Sequence, residues 1–152
     1  MPADTDLIKL YSGRILALTA DIPFLERLET PMASVKLRSP LCGSTVTVDL
    51  DIEDGRISRF GQDVKACALG QAAAAITGAV IIGRSLPELE AGRDQLQAML
   101  RGAGPAPLPP FDGFEVLAPA QDYKNRHASI MLCIDAATKA MQQAIQATSA
   151  KA

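Results

Sequence analysis

The sequence predicts an α+β fold, a two-layer sandwich in which helices cover a three-stranded antiparallel sheet and the last helix is long. Residues 45–52 alternate between apolar and polar side chains, which is typical of a strand with one buried face. The pair Asp54-Gly55 favours a tight turn into the next strand, so the strands form an antiparallel meander. The main helical patterns follow the strands and do not alternate with them, and helices and sheet therefore separate into two layers.

One helix is expected before the sheet. Thr5 or Asp6 is a suitable N-cap and Gly13 weakens the pattern, whose apolar residues near helical spacing are Leu7, Leu10, Ile15 and Leu18. Strands are then predicted over residues 34–37, 45–52 and 56–60. The acidic residues of the second strand and its turn are expected on a solvated polar face: Asp49, Asp51, Glu53 and Asp54.

Helices supply the second layer. The first begins after Cys67 and ends near Gly83, with an apolar stripe formed by Leu69, Ala73, Ile76 and Val80. Ser85-Leu86-Pro87-Glu88 combines a capping box with a proline in the first turn, and it begins a helix that runs to about Leu100. Residues 102–113 hold four prolines and three glycines and are predicted to form a surface loop. The last helix is predicted to begin near His127.

Composition and charge limit the classes of function. The 152 residues suffice for one domain, 1–152, and a content of 48% apolar and 21% charged residues is typical of globular proteins. The net charge is -2 with both signs dispersed, so neither nucleic acid nor a membrane surface is expected as a partner. The longest weakly polar run, residues 66–83, is interrupted by Gln71 and Thr77, and no transmembrane helix is expected. The N-terminal residues lack a secretory pattern, which indicates the reducing cytoplasm.

Two cysteines and the single histidine are placed at predicted corners of the structure. Cys42 precedes a glycine ahead of a strand, Cys67 begins a helix, and His127 precedes the last helix. Two thiolates and an imidazole are suitable ligands for zinc or iron, with one tetrahedral position left open. The wide spacings lack the local pairing that is typical of zinc sites, and a cysteine is also a common small core residue. Metal binding and core packing therefore both remain open from residue chemistry alone.

The motifs around these residues resemble a known family, the iron-sulfur cluster assembly scaffolds IscU, SufU and the N-terminal domain of NifU. That family carries an Asn-Pro-x-Cys-Gly-Asp type motif, a Gly-Cys-x-x-x-x-Ala-x-Ala type helix start, and a third cysteine at the start of the final helix. The corresponding segments of this chain are Ser39-Pro40-Leu41-Cys42-Gly43-Ser44, Ala66-Cys67-Ala68-Leu69-Gly70-Gln71-Ala72-Ala73-Ala74 and Arg126-His127-Ala128-Ser129-Ile130. The resemblance spans roughly residues 39–141, and the long segment before the final helix is similar to the SufU branch.

The ligand set departs from the family pattern at two positions. The family's aspartate falls on Ser44 and its third cysteine on Ala128, so the resemblance implies a degenerate set of Cys42, Cys67 and His127. The remaining cysteine, Cys133, lies about 140° around the helix from Ala128 and is assigned to core packing. The Leu-Pro-Pro-Val-Lys motif of IscU, which docks a chaperone, is absent.

The resemblance implies a scaffold or a sulfur or iron carrier in iron-sulfur cluster assembly, not an enzyme. It would bind zinc, iron or a labile iron-sulfur cluster through Cys42, Cys67 and His127, receive sulfur on Cys42 or Cys67 from a cysteine desulfurase, and supply apo iron-sulfur proteins. A cluster could also bridge the two chains of a homodimer. The departures at Ser44 and Ala128 leave a second hypothesis, a non-assembling binding or regulatory partner of the desulfurase. A third, a zinc-dependent hydrolase, lacks an identifiable general base.

Overall fold

The structure is a computed structural model that describes residues 12–150. It confirms the α+β class. Its elements, in chain order, are α1 (Gly13–Thr19), β1 (Ala33–Arg38), β2 (Thr45–Glu53), β3 (Arg56–Lys65), α2 (Ala68–Val80), α3 (Leu86–Leu100), a 3-10 segment (Phe111–Asp122) and α4 (Lys124–Ala150). The predicted start of the first helix at Thr5 or Asp6 lies outside the described residues, within which α1 begins after the N-cap Ser12. Within the described range, no helix is long and apolar enough to cross a membrane.

The three strands form an antiparallel sheet in the order β1-β2-β3. The long helix α4 packs on β1 and β2, while α2 and α3 pack against α4 and form the rest of the helical layer. The side chains of β2 that enter this core are fully buried: Val46, Val48 and Leu50. The alternation predicted for β2 therefore defines the face that α4 covers.

The opposite face of β2 is also covered at its centre, so the prediction of solvated acidic residues is wrong for Asp49. Its carboxylate is fully buried and accepts hydrogen bonds from Arg27 Nε at 2.8 Å, Ser34 Oγ at 2.6 Å and the backbone N–H of Leu28 at 3.1 Å. Gly61 of β3 pairs with Asp49 and allows the crossing, since a Cβ there would lie 2.3 Å from the Glu26 carbonyl oxygen. The segment before β1 thus crosses the sheet and supplies the partners that a buried carboxylate requires.

Several element boundaries differ from the predicted ones. β3 continues to Lys65, α4 begins at Lys124, and the end of the predicted loop belongs to the 3-10 segment. The capping box of α3 is confirmed, with the backbone N–H of Glu88 3.4 Å from Ser85 Oγ and the backbone N–H of Ser85 3.1 Å from Glu88 Oε1. Because α4 begins three residues before His127, the histidine lies in the first turn of the helix, next to the end of the 3-10 segment.

Substitution of Asp49 tests whether its buried carboxylate stabilises the segment that covers the sheet. We expect Asp49→Ala to lower the free energy of unfolding by about 1–3 kcal/mol, because it leaves the Leu28 N–H and the Ser34 hydroxyl without their acceptor. Burial raises the pKa of Asp49. The hydrogen bonds from Arg27, Ser34 and the Leu28 N–H, together with the positive charge of Arg27, outweigh this effect and hold the pKa below its ordinary value of 3.8. This contribution to stability is therefore complete above that value and is lost as the pH falls through the lowered pKa.

Urea denaturation at neutral and acid pH measures both effects. Glu53→Ala, at the exposed end of the same strand, is the matched control and should change stability by less than about 0.5 kcal/mol. Equal losses in the two variants would contradict a specific role for the Asp49 carboxylate.

Candidate functional site

Cys42 lies in the tight turn between β1 and β2. The backbone N–H of Ser39 bonds to the Ser44 carbonyl at 2.8 Å, the N–H of Gly43 bonds back to the Ser39 carbonyl at 2.9 Å, and Gly43 adopts a φ of +72°. This left-handed conformation favours glycine and turns the chain so that the Cys42 side chain is exposed. The thiol donates to Ser39 Oγ at 3.3 Å and lies 3.0 Å from Ser44 Oγ.

Cys67 is the N-cap residue of α2 and is half-buried. Its Sγ lies 3.4 Å from Ser129 Oγ on the first turns of α4. Cys67 makes no capping hydrogen bond through its side chain, yet it stands where the free N–H groups of the helix carry partial positive charge. The start of one helix and the start of another therefore meet at this thiol.

Two serine hydroxyls connect the two cysteines. Ser129 Oγ donates to Ser44 Oγ at 3.2 Å, so a continuous chain of contacts runs from Cys42 through Ser44 and Ser129 to Cys67. Both serines are buried. Cys42 and Cys67 thus belong to one polar cluster and do not point into separate parts of the core. We call these four residues the thiol-hydroxyl cluster.

Gly70 makes the close approach of α2 and α4 at this cluster sterically feasible. A Cβ at Gly70 would lie 2.6 Å from Ser129 Oγ and 2.8 Å from the Cβ of Ala66. Both distances are shorter than van der Waals contact, so any larger residue would push Ser129 away from Cys67. The glycine in the Cys67-Ala68-Leu69-Gly70 sequence is therefore a packing requirement of the site.

The surroundings favour ionisation of two of the three thiols. Hydrogen bonding with the Ser39 and Ser44 hydroxyls lowers the pKa of Cys42 to about 7, with a smaller contribution from Ser129. Burial raises the pKa of Cys67, but the Ser129 hydroxyl, the N–H groups of α2 and the charge of Arg126 outweigh it, and the net pKa is lowered. Cys42 thus combines exposure with a large thiolate fraction at neutral pH, the two properties of a reactive cysteine.

The third thiol, Cys133, lies in the core as predicted. It is 1% exposed and donates to Gln62 Oε1 at 3.3 Å. Burial raises its pKa to about 12, so it remains a neutral thiol.

The structure does not bring His127 into the thiol-hydroxyl cluster. Its Nε2 atom lies 2.9 Å from the carbonyl oxygen of Ala120, the partner that the 3-10 segment offers just before α4 begins. Because a carbonyl only accepts, Nε2 carries the proton in this bond and has no lone pair for a metal. His127 and Ala128 instead line a groove of about 490 Å³ whose lining includes neither Cys42 nor Cys67. In the part of the chain that the structure describes, no group of three His, Cys, Asp or Glu side chains is placed to hold a metal ion.

Ser129 is the site residue that sequence reasoning missed. Ser129 lies one position after Ala128, the place of the family's third cysteine. The available signal was a small polar residue beside the apolar stripe of α4, next to Ile130. Burial of such a residue requires a polar partner, and Ser44 and Cys67 are those partners.

The fold is an antiparallel sheet covered by helices, and two connected thiols lie at one end of the sheet. These features define an α+β domain with a thiol site, which is the class that the sequence motifs predict. The N-terminal part of a nitrogen-fixing NifU-like protein from Brucella abortus is 39% identical, with a TM-score of 0.90 over 93% of this chain and 98% of that one. This chain therefore belongs to the scaffold family that comprises IscU, SufU and the N-terminal domain of NifU.

A more distant structure shares the fold. It is assigned as an iron-sulfur cluster assembly scaffold protein for the SUF system from Fervidobacterium islandicum AW-1, with 18% identity and a TM-score of 0.75 over 88% of this chain and 98% of that one. No protein-family model matches the sequence, and neither does any curated protein.

The role of Gly70 can be tested by adding one methyl group. We expect Gly70→Ala to lower the free energy of unfolding by about 1–3 kcal/mol, because the new Cβ overlaps Ser129 and Ala66. Gly13→Ala is the control, since a Cβ at Gly13 meets nothing within 4 Å, and it should be neutral or stabilise α1 by up to about 1 kcal/mol. Thermal or urea unfolding compares the two, and an equal effect at both glycines would contradict the close approach.

Alkylation by iodoacetamide tests the order of thiol reactivity. We expect Cys42 to react first, with a rate that is half-maximal near its pKa of about 7, and Cys133 to remain unmodified in the folded protein. Ser39→Ala removes the hydrogen bond that lowers the pKa of Cys42 most, so the midpoint of its pH–rate profile should rise. Mass spectrometry of peptides assigns each site, and modification of Cys133 at the rate of Cys42 would contradict this assignment.

Proposed function

We propose that this protein acts in iron-sulfur cluster assembly as a scaffold or carrier that receives sulfur and iron at Cys42 and Cys67. The observation that carries the proposal is the thiol-hydroxyl cluster, which holds both motif cysteines together at one end of the sheet. Membership of the scaffold family supports this class of activity, and so does the description of the Fervidobacterium protein as an iron-sulfur cluster assembly scaffold of the SUF system.

Cys42 is the better candidate for receiving sulfur. Its thiolate would attack the outer sulfur of a persulfide on a partner cysteine, a new S–S bond would form at Cys42, and the partner's S–S bond would break to release its thiolate. The sulfane sulfur and its proton move together, so the transfer needs no added reductant. A cysteine desulfurase is the class of enzyme that presents such a persulfide, and exposure of Cys42 in a turn allows access to it.

Iron would join the sulfur at the two thiolates. Iron-sulfur clusters are usually held by four cysteine thiolates, and one copy of this chain offers two at the site. A cluster that bridges two copies in a homodimer would have the complete set. The protein would then pass its cargo to an apo iron-sulfur protein and act as a carrier, not as an enzyme with its own turnover.

The environment proposed for this activity is the reducing cytoplasm. All three cysteines are free thiols, and persulfide chemistry at Cys42 requires that they stay reduced. The net charge of -2 supports proteins, not nucleic acid or membrane, as partners.

A specific observation favours one alternative. The site has a hydroxyl at Ser44 and a methyl group at Ala128, where the family pattern has a carboxylate and a third thiol. A protein of this kind could bind a cysteine desulfurase and regulate it without assembling a cluster. The two functions differ in whether sulfur reaches Cys42.

Transfer of labelled sulfur separates them. A cysteine desulfurase is incubated anaerobically with isotopically labelled cysteine and this protein, and persulfides are located by mass spectrometry. We expect label on Cys42 in the wild type and its loss in Cys42→Ser.

Cys133→Ala is the matched control, because it removes a thiol that is buried and neutral, and it should leave the labelling unchanged. Binding of the desulfurase without label on Cys42 or Cys67 would contradict the carrier function and favour the regulatory one. Label on Cys67 alone would contradict the assignment of Cys42 as the receiving thiol.

A further inference from the structure

We propose that the groove between the end of β1, the end of α3 and the start of α4 docks an acidic segment of the cysteine desulfurase that delivers sulfur to Cys42. The groove has a volume of about 490 Å³, and Arg38, Arg101 and Lys124 are the basic residues that give its lining a positive charge. We call it the cationic groove. The inference rests on the proposed function, because the occupant is the enzyme that supplies the sulfur.

The positive charges of the cationic groove have no partners within the described part of the protein. Arg38, Arg101 and Lys124 are exposed, and over residues 12–150 none of them takes part in an ion pair or a side-chain hydrogen bond. Five other arginines in the same range each pair with a carboxylate. The groove therefore collects cations that the fold itself does not use.

The charge of the cationic groove is opposite in sign to the net charge of the chain, which is -2. Asp135, the acidic residue of the lining, lies within range of the charges of Arg93 and Lys139 and is thus already offset by other cations. The first turn of α4 contains Lys124 and Arg126 and no acidic residue, so the partial positive charge at this helix start is not compensated. The local field favours an anionic ligand.

The rest of the lining is largely apolar. Leu100, Met131 and Leu132 are buried, and Leu37 is half-buried near the end of β1. Such a surface favours an apolar side chain, whereas an inorganic anion would use only the charges. The occupant that matches both features is a peptide segment in which acidic residues flank an apolar one.

The cationic groove continues into the turn that carries Cys42. Ser39 lines the groove, and its hydroxyl accepts a hydrogen bond from the Cys42 thiol at 3.3 Å. Arg38 reaches the same turn, since its Nη2 lies 3.7 Å from the position that a Cβ on Gly43 would take. Leu41, next to the thiol, is 74% exposed. A protein that covers Cys42 therefore meets the groove as well.

The donor of sulfur is the partner that has to cover this surface. Transfer of a sulfane sulfur to the Cys42 thiolate requires contact between two sulfur atoms, so the donor must lie against the turn and the adjoining groove. Burial of unpaired cations costs free energy unless the partner supplies carboxylates. With carboxylates in place, the same cations steer the encounter and determine its register. Charge complementarity thus selects a donor with an acidic segment beside its persulfide.

Charge reversal in the groove tests the docking. The full-length protein is titrated anaerobically into a fluorescently labelled cysteine desulfurase at low and at high salt, and the Kd is measured. We expect the double variant Arg101→Glu with Lys124→Glu to raise the Kd at least about 10-fold at low salt and by less at high salt, because salt screens the charges. The variant should fold normally, since a glutamate in the first turn of α4 complements the helix dipole.

The matched control is Lys36→Glu with Lys139→Glu. Both lysines are exposed, neither lines the groove, and the net charge changes by the same amount, so this variant should bind as the wild type does. A synthetic peptide of alternating glutamate and leucine is a second probe. It should compete with the desulfurase for the wild type and not for the groove variant, and a single-stranded RNA oligonucleotide should not compete.

Equal Kd values for the wild type and the groove variant overturn the docking site, and so do equal losses in the groove and control variants. Competition by the RNA but not by the peptide also overturns it and assigns the groove to nucleic acid. Labelling of Cys42 with sulfur separates these results from the carrier function.

We expect the groove variant to need about 10-fold more desulfurase than the wild type for half-maximal labelling of Cys42. Labelling at the same desulfurase concentration in both proteins would overturn the docking site and leave the carrier function intact. Weaker binding by the groove variant, with no label on the wild type, would support the docking site and contradict the carrier function.

Discussion

The close approach of α2 to α4 is the constraint on which the site depends. It occurs where Gly70 faces Ser129, and the absence of a side chain at Gly70 allows the Ser129 hydroxyl to reach both Cys67 and Ser44. Ser44, at the end of the turn that carries Cys42, is bonded to α4 through the Ser129 hydroxyl. A displacement of α2 by the width of one methyl group would therefore separate the two thiols as well as destabilise the core.

The three cysteines illustrate how the fold assigns different chemistry to one residue type. Cys42 is exposed and hydrogen-bonded to two serine hydroxyls, Cys67 is half-buried at a helix start, and Cys133 is enclosed in the core. The pKa of the first is lowered to about 7 and that of the last is raised to about 12, because hydrogen bonding favours a thiolate and burial opposes it. Only Cys42 and Cys67 belong to the thiol-hydroxyl cluster, so the two thiols with lowered pKa values are also the two at the candidate site.

The features that could be predicted from the sequence are those determined by local patterns. The strand β2 and the capping box at Ser85 depend on neighbouring residues, and both elements are found in the structure, although β2 is buried on both faces at its centre. Burial of Asp49 could not be predicted in this way, because its partner Arg27 lies 22 positions away and reaches it only when the intervening segment crosses the sheet. The position of His127 likewise depends on the 3-10 segment, whose proline- and glycine-rich approach has no helical period. For Ser129, the helix that carries it could be predicted from the sequence, but its hydrogen-bond partners Ser44 and Cys67 could not.

The two departures from the family pattern, a hydroxyl at Ser44 and a methyl group at Ala128, lower the negative charge that the site can carry. In the family pattern, an aspartate and a third cysteine would add negative charge beside the two thiolates that remain here. With Ser44 and Ser129 in the cluster, any negative charge comes from Cys42 and Cys67 alone, and the charge of Arg126 acts on Cys67. A divalent ion at such a site gains less Coulombic energy than at one with four anionic ligands. In the proposed sulfur transfer, a serine at position 44 removes a carboxylate that would repel an incoming persulfide. For the carrier function proposed above, the lower charge favours receipt and release of cargo over its retention.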